Sequence, residues 1–126
     1  LVRRSDFPPY IPNAVCRAVM RSIDPDPSNR FQSALDMRRA LEKLSFAGYW
    51  TVDATATLRG EDTRHTYRFV QTPGVGSNAS VAAFKTNKMS GRETRISEFT
   101  RKNIRNVEAN RLVDSFLKAV VKGRFG

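Results

Sequence analysis

Residues 11–44 have the sequence IPNAVCRAVMRSIDPDPSNRFQSALDMRRALEKL, which contains two stretches of helical periodicity separated by prolines. In the first stretch, apolar side chains recur at Val15, Val19 and Ile23, on one face of a helix. Asn13 precedes this stretch and is a residue type that caps helices. The pattern predicts a first helix that is capped by Asn13 and packs through one apolar stripe.

The second helix follows a short proline-containing connection. Asp24 precedes a proline and therefore ends the first helix, because that position disfavours the α conformation. Asp26 is predicted to cap a single turn that opens with Pro27. Ser33 is predicted to cap the second helix, and Asp36 three positions later completes a capping-box pattern. The apolar side of the second helix is formed by Ala34, Met37, Leu41 and Leu44.

The connection resembles a known protein family. Residues 26–34, DPSNRFQSA, match the pattern Asp-Pro-x-x-Arg-aromatic-x-Ser/Thr-Ala. This pattern joins the last two helices of the catalytic domain in eukaryotic-like serine/threonine protein kinases of bacteria. The residues that carry the resemblance are Asp26, Pro27, Arg30 and Phe31. The resemblance covers residues 7–45, and an ordinary helix–turn–helix pair is the alternative interpretation.

The resemblance implies a longer parent protein with an upstream kinase lobe, which would use ATP and Mg²⁺ if it were active. Phosphoryl transfer in this family needs a glycine-rich loop, a strand lysine and two aspartates, all upstream of the last two helices. The sole histidine, His65, is followed by threonine, so no His-Arg-Asp loop exists. We therefore predict no catalytic residue and no cofactor in this chain.

Composition is that of a globular protein of 126 residues, with 40% hydrophobic and 27% charged residues. No apolar run approaches the ~20 residues that span a bilayer, so no membrane association is predicted. The single cysteine, Cys16, is predicted to be a buried hydrophobic residue, and a cytoplasmic location is expected. Because Leu1 is not methionine and the opening resembles a kinase, we expect a piece of a longer polypeptide.

The second part of the chain, residues 47–126, changes to alternating periodicity and ends in a helix. Strands are predicted at 50–58, 63–71 and 80–86, with a fourth at 92–99, a turn at 59–62 and a helix at 104–122. The predicted fold class is α+β, in which a helix pair in residues 1–46 precedes a three- or four-stranded antiparallel sheet packed against one C-terminal helix. The core predicted for this part consists of Trp50, Val52, Phe69, Leu112, Phe116 and Val120.

Two further patterns give little support for a chemical site. One cysteine and one histidine cannot form a structural zinc tetrad, so no metal site is predicted. Residues 74–79, GVGSNA, match a dinucleotide-binding fingerprint. That fingerprint needs a helix at its end, whereas the following residues alternate like a strand. His65 lies on the apolar face of a predicted strand, which favours a packed histidine.

Basic residues dominate the last third of the chain. The net charge is +10, and residues 81–126 contain 11 basic and four acidic residues. The candidate polyanion-binding residues are Lys85, Lys88, Arg92, Arg95, Arg101, Lys102 and Arg105. Residues 47–126 are therefore interpreted as a small basic accessory domain that binds a protein partner or has a regulatory role. The alternative is a nucleic-acid-binding module, since the order of helix, three strands and helix is similar in outline to double-stranded-RNA-binding domains.

Overall fold

The computed structural model describes residues 2–126, which contain three α-helices and six β-strands. The chain forms two units, one ending at Ser45 and the other spanning Phe46–Gly126. The α+β class is as predicted, but the antiparallel sheet has more strands than the predicted three or four. None of the helices in residues 2–126 has the length and apolarity needed to cross a membrane.

The first unit contains two α-helices, α1 (Asn13–Ser22) and α2 (Ala34–Glu42). The prediction that Asn13 caps α1 is wrong, because Pro12 is the capping residue and Asn13 lies in the first turn. The Asn13 side chain instead accepts a hydrogen bond from Nε of Arg4 at 2.6 Å. Proline suits the start of a helix because its missing N–H would have no partner there.

The connection between α1 and α2 follows the sequence prediction. A single 3-10 turn, Pro27–Asn29, is capped by the carboxylate of Asp26. Ser33 caps α2, since its hydroxyl accepts a hydrogen bond from the backbone N–H of Asp36 at 3.1 Å. Cys16 is fully buried, as predicted. The capping side chains of Asp26 and Ser33 therefore determine where the 3-10 turn and α2 begin.

The second unit is an antiparallel sheet covered on one face by a helix. Its strands are β1 (Gly48–Val52), β2 (Leu58–Asp62), β3 (His65–Pro73), β4 (Asn78–Asn87), β5 (Glu93–Arg95) and β6 (Arg101–Arg105). The order is β1-β2-β3-β4-β5, and β6 also pairs with β4. Because β3 pairs with one edge of β4 along most of its length, β5 and β6 share the other edge.

The predicted first strand, 50–58, is wrong, because a tight turn divides it into β1 and β2. Oδ1 of Asp53 accepts hydrogen bonds from the backbone N–H groups of Thr55 at 2.9 Å and Thr57 at 3.0 Å. Ala56 takes a left-handed conformation with φ of 60°. Residues 59–62, predicted as a turn, consequently lie in β2. Aspartate side chains compete in this way with strand pairing by bonding to nearby backbone groups.

The C-terminal half of the predicted fourth strand is also absent. Only Glu93–Arg95 pairs with β4, and Ser97–Phe99 form a 3-10 turn. Residues Arg101–Arg105 then form β6, so the last helix, α3, spans Asn106–Val121 rather than starting at residue 104. The prediction that Ile104 belongs to this helix is therefore wrong, because Ile104 lies in β6 opposite Ala79.

The core of the second unit lies between α3 and the sheet. Phe116 and Val120 are fully buried, and the indole Nε1 of Trp50 donates a hydrogen bond to the carbonyl of Leu117 at 3.0 Å. The Trp50 ring lies on Gly60, where an added Cβ would meet ring atoms at 2.9 Å. Val52 is 54% exposed, so its predicted place in the core is wrong. The strand alternation had put it beside Trp50, but Val52 lies at the end of β1, next to the Asp53 turn.

The end of α3 has the geometry that its glycine predicts. Gly123 adopts a φ of 73°, and the N–H of Arg124 donates to the carbonyl of Ala119 at 3.1 Å. This is a Schellman cap, which requires a left-handed residue. The following ring, Phe125, packs near Tyr67 and Phe99 with centroid separations of 5.7 and 6.0 Å. The chain end therefore contributes to the same aromatic core.

Candidate functional site

Residues 26–34, which carry the resemblance to kinases, begin with a capped turn at the end of α1. The carboxylate of Asp26 accepts hydrogen bonds from the hydroxyl of Ser28 at 2.8 Å and from its backbone N–H at 3.0 Å. These bonds lower the pKa of Asp26, the hydroxyl bond more than the backbone bond. Pro27 opens the turn with its φ already near the required value. The first half of the motif therefore acts as a capped turn.

The second half of the motif ties the connection back to α1. Nε of Arg30 donates to the backbone carbonyl of Asp24 at 2.6 Å. The guanidinium of Arg21 lies 4.1 Å from the ring centroid of Phe31. Arg30 is exposed and makes no ion pair with any residue in the described range 2–126. Its charge is therefore available to a partner outside these residues.

The seven basic residues singled out from the sequence do not form one surface. The sheet has a helix-covered face and an opposite, open face, and β4 side chains alternate between them. Two of the seven are in ion pairs, three line a groove on the open face, and two line a cavity on the helix-covered side. These groups are Lys88 and Arg105; Arg95, Arg101 and Lys102; and Lys85 and Arg92.

The first group is neutralised locally. Lys88 pairs with Glu61, which also accepts a hydrogen bond from the hydroxyl of Tyr49 at 3.0 Å. The bonds from Lys88 and Tyr49 lower the pKa of Glu61. Arg105 pairs with Glu108 in the first turn of α3 at 3.1 Å. Lys88 and Arg105 therefore contribute little to an external anion site, because each is already paired with a carboxylate.

The second group borders a groove on the open face. The groove has a volume of about 270 Å³. Its floor is formed by Val70, Thr72, Ser80, Ala82 and Phe84, and its rim by Arg68, Arg95, Thr100, Arg101 and Lys102. A partly apolar floor and a mostly basic rim together form a surface that differs from an ordinary solvated sheet face. We call these residues the open-face groove.

Arginines flank the aromatic ring in this groove. The guanidinium carbon of Arg68 lies 4.0 Å from the centroid of Phe84, and that of Arg95 lies 5.8 Å away. Arg68 is held in place by Glu93, with an Nη2–Oε1 distance of 2.7 Å. This bond also lowers the pKa of Glu93. Sequence reasoning missed Arg68 and Phe84 as a pair. The pairing register of β3 and β4 is what brings them opposite each other.

The third group borders a smaller cavity at the end of the β4–β5 hairpin. Its volume is about 200 Å³, and it is lined by His65, Lys85, Asn87, Ser90, Arg92 and Thr94. Lys85 points to the same face of β4 as the buried Ala83, so it lies opposite the open-face groove. His65 is 9% exposed, in agreement with the predicted packed histidine.

A buried acid lies next to this cavity. The hydroxyl of Tyr67 donates to Oδ2 of Asp62, and the backbone N–H groups of Arg64 and His65 donate to Oδ1 at 2.8 and 2.7 Å. Burial raises the pKa of Asp62, but these three hydrogen bonds outweigh burial and hold it below its ordinary value. Burial and the bond to Asp62 raise the pKa of Tyr67 above its ordinary range. The carboxylate is thus a structural acceptor in its charged form.

The dinucleotide-binding pattern at residues 74–79 lacks its structural context, because it leads into strand β4 rather than into a helix. Among residues 2–126, no group of three or more histidine, cysteine or acidic side chains is arranged to hold a metal ion. Comparison with known proteins found no matching protein-family model, no matching curated protein and no matching solved structure.

Proposed function

We propose that the chain is the C-terminal segment of a serine/threonine protein kinase or kinase-like protein, located in the cytoplasm. Residues up to 46 would be the last two helices of the catalytic lobe, with the upstream kinase lobe as their partner. Residues 47–126 would be an accessory domain for interaction or regulation. The segment is non-catalytic by itself, and ATP and Mg²⁺ would bind the parent if it is active.

The observation that carries the proposal is the capped turn between α1 and α2. Asp26 and Pro27 form the turn, and Phe31 stacks on Arg21 while Arg30 keeps an exposed guanidinium. A guanidinium anchored at Nε to a backbone carbonyl is oriented for a carboxylate partner. The matching arginine of the kinase family pairs with a glutamate upstream of this region.

The exposure of apolar side chains in the first unit supports the same proposal. Cys16 is the only buried residue in α1, and α2 has none. Ile23, Leu35 and Leu41 are 52%, 49% and 40% exposed. Amphipathic helices normally bury their apolar side chains against other elements, so this exposure supports a place for the pair in a larger lobe.

For the accessory domain, the open-face groove favours an acidic protein segment with apolar side chains as the partner. Apolar side chains would cover Val70, Ala82 and Phe84, while carboxylates would meet Arg95, Arg101 and Lys102 on the rim. Nucleic acid fits less well. Base stacking needs a free aromatic face, and Phe84 is covered by Arg68 at 4.0 Å and also has Arg95 at 5.8 Å from its ring centroid.

Binding of two fluorescent peptides of equal charge tests this partner. One peptide alternates glutamate and valine and the other alternates glutamate and glutamine, both at physiological ionic strength. We expect measurable binding of the Glu–Val peptide only, because general attraction to a +10 chain is the same for both. The double reversal Arg95→Glu/Arg101→Glu should abolish binding. Arg92→Glu, which alters the opposite side of the sheet, should change the affinity less than about twofold.

The same titration with a duplex RNA separates the two functions. Equal binding of both peptides, or tighter binding of the duplex with a steep fall in affinity as salt rises, would contradict the protein-partner proposal. A steep salt dependence reports release of counterions from neutralised phosphates. Tighter, steeply salt-dependent binding of the duplex would support the nucleic-acid-binding alternative, whereas equal binding of the two peptides would show only general charge attraction.

A further inference from the structure

The cavity at the β4–β5 hairpin is lined only by groups that can donate hydrogen bonds. Its six residues include no carboxylate. Within residues 2–126, Lys85 and Arg92 form no ion pair, in contrast to Lys88 in the same hairpin. Two unneutralised cations that face one small cavity favour an anionic ligand.

Hydrogen bonds within the hairpin turn leave two side-chain donors of the cavity lining unused. Oδ1 of Asn87 accepts from the backbone N–H groups of Met89 and Ser90 at 2.9 and 3.0 Å. The NH₂ group of Asn87 is therefore still able to donate. Oγ of Ser90 accepts from the N–H of Arg92 at 3.3 Å, which keeps the hydroxyl proton free. Gly91 takes a left-handed φ of 70°, which closes this turn.

His65 also lines this cavity. Its Nδ1 is buried without a hydrogen-bond partner in the described residues and lies 3.8 Å from Oδ1 of Asp62. Because this atom lies beside the Asp62 carboxylate and has no exposed surface, His65 serves as a wall of the cavity, and the anion site rests on Lys85 and Arg92.

We propose that this cavity binds a terminal phosphoryl group, that is, a phosphate monoester. A monoester carries a charge of about −1.5 to −2 and three acceptor oxygens. These suit Lys85 and Arg92, with Asn87, Ser90 and Thr94 as further donors. The cavity of about 200 Å³ is smaller than sites for larger ligands, which run from about 300 Å³. A phosphodiester of a nucleic-acid backbone carries one charge and has two bulky substituents, so it fits less well. The site uses none of the open-face groove residues and goes beyond the proposed function.

An NMR titration of the ¹⁵N-labelled chain tests the site. The probes are phenyl phosphate as the monoester, inorganic phosphate, dimethyl phosphate as the diester, and sodium chloride at matched ionic strength. We expect saturable shifts with the first two, at the backbone amides of residues 87–94 and at the His65 ring. Inorganic phosphate and phenyl phosphate present the same phosphoryl group. Tighter binding of phenyl phosphate than of inorganic phosphate would show that the ligand is an ester rather than free phosphate.

Charge-removing variants locate the effect. Lys85→Gln and Arg92→Gln should each weaken phenyl phosphate binding at least about tenfold, because each removes a charge-assisted hydrogen bond. The matched control is Lys102→Gln, which removes the same charge on the open face and should change the affinity less than about twofold. Equal weakening by Lys102→Gln, equal binding of dimethyl phosphate, or shifts that do not saturate would each overturn the proposal. Thermal unfolding without ligand verifies that every variant is folded.

Discussion

Replacement of Phe116 by alanine is expected to lower the free energy of unfolding of the second unit by about 3–5 kcal/mol. Phe116 is 1% exposed and lies at the centre of the aromatic core. Its ring centroid is 5.3 Å from that of Phe99 and 5.6 Å from that of Trp50. Truncation removes these contacts and leaves a cavity. The surrounding rings come from four different strands and turns, so they cannot all move inward to fill it.

Urea denaturation followed by circular dichroism and by Trp50 fluorescence measures this loss, since Trp50 is the only tryptophan. The control is Val107→Ala, on the same helix, where the side chain is 61% exposed. We expect that control to change stability by no more than about 0.5 kcal/mol. A loss below about 1 kcal/mol for Phe116→Ala would show that α3 packs through another face.

Replacement of Asp62 by alanine is expected to cost about 3 kcal/mol or more. The carboxylate is buried and is the acceptor for the Tyr67 hydroxyl and for the N–H groups of Arg64 and His65. Each donor left without an acceptor costs about 1–3 kcal/mol when it is buried. The matched control is Asp53→Ala. The Asp53 carboxylate also accepts three hydrogen bonds, but it is exposed, so water replaces them and the loss should be clearly smaller than that of Asp62→Ala.

The pH dependence of stability provides the second readout for Asp62. Its pKa is lowered in the fold, so its contribution is present above pH ~4 and is lost as pH falls through the folded value. The pKa of Tyr67 is raised, so its contribution is lost as pH rises above ~10. Asp62→Asn should therefore flatten the acid limb relative to wild type. Equal acid limbs, or equal losses for Asp62→Ala and Asp53→Ala, would contradict the buried-acceptor role.

The parts of the fold that depend on local chemistry were predictable from sequence. The Asp26 and Ser33 caps and the Gly123 terminator use side-chain or backbone preferences that act within a few residues. The class also followed, since residues 63–71 and 80–86 have the alternation of strands and α3 has a broad apolar stripe. Residues 50–58 misled the strand assignment. Their alternation of alanine and threonine fits a strand, yet Asp53 closes a turn in its middle.

The strand β6 and the candidate sites depend on contacts between distant residues. Residues 101–105 form a strand only because β4 offers an unpaired edge beyond β5. The basic residues were correctly seen as numerous, but alternation along β4 puts Lys85 and Phe84 on opposite faces. The partners Arg68 and His65 come from β3, so only the sheet register assigns each to its site.

The kinase proposal is tested most directly by Arg30→Ala, measured as the change in unfolding free energy in two proteins. In the chain of 126 residues, Arg30 is exposed and bonds only to a backbone carbonyl, so we expect a loss below about 1 kcal/mol. Under the proposal the natural polypeptide extends upstream, where the family's glutamate would make a buried pair with Arg30, and breaking that pair should cost about 3–5 kcal/mol. Equal, small losses in both proteins would contradict the proposal and leave residues 26–34 as an ordinary helix connector.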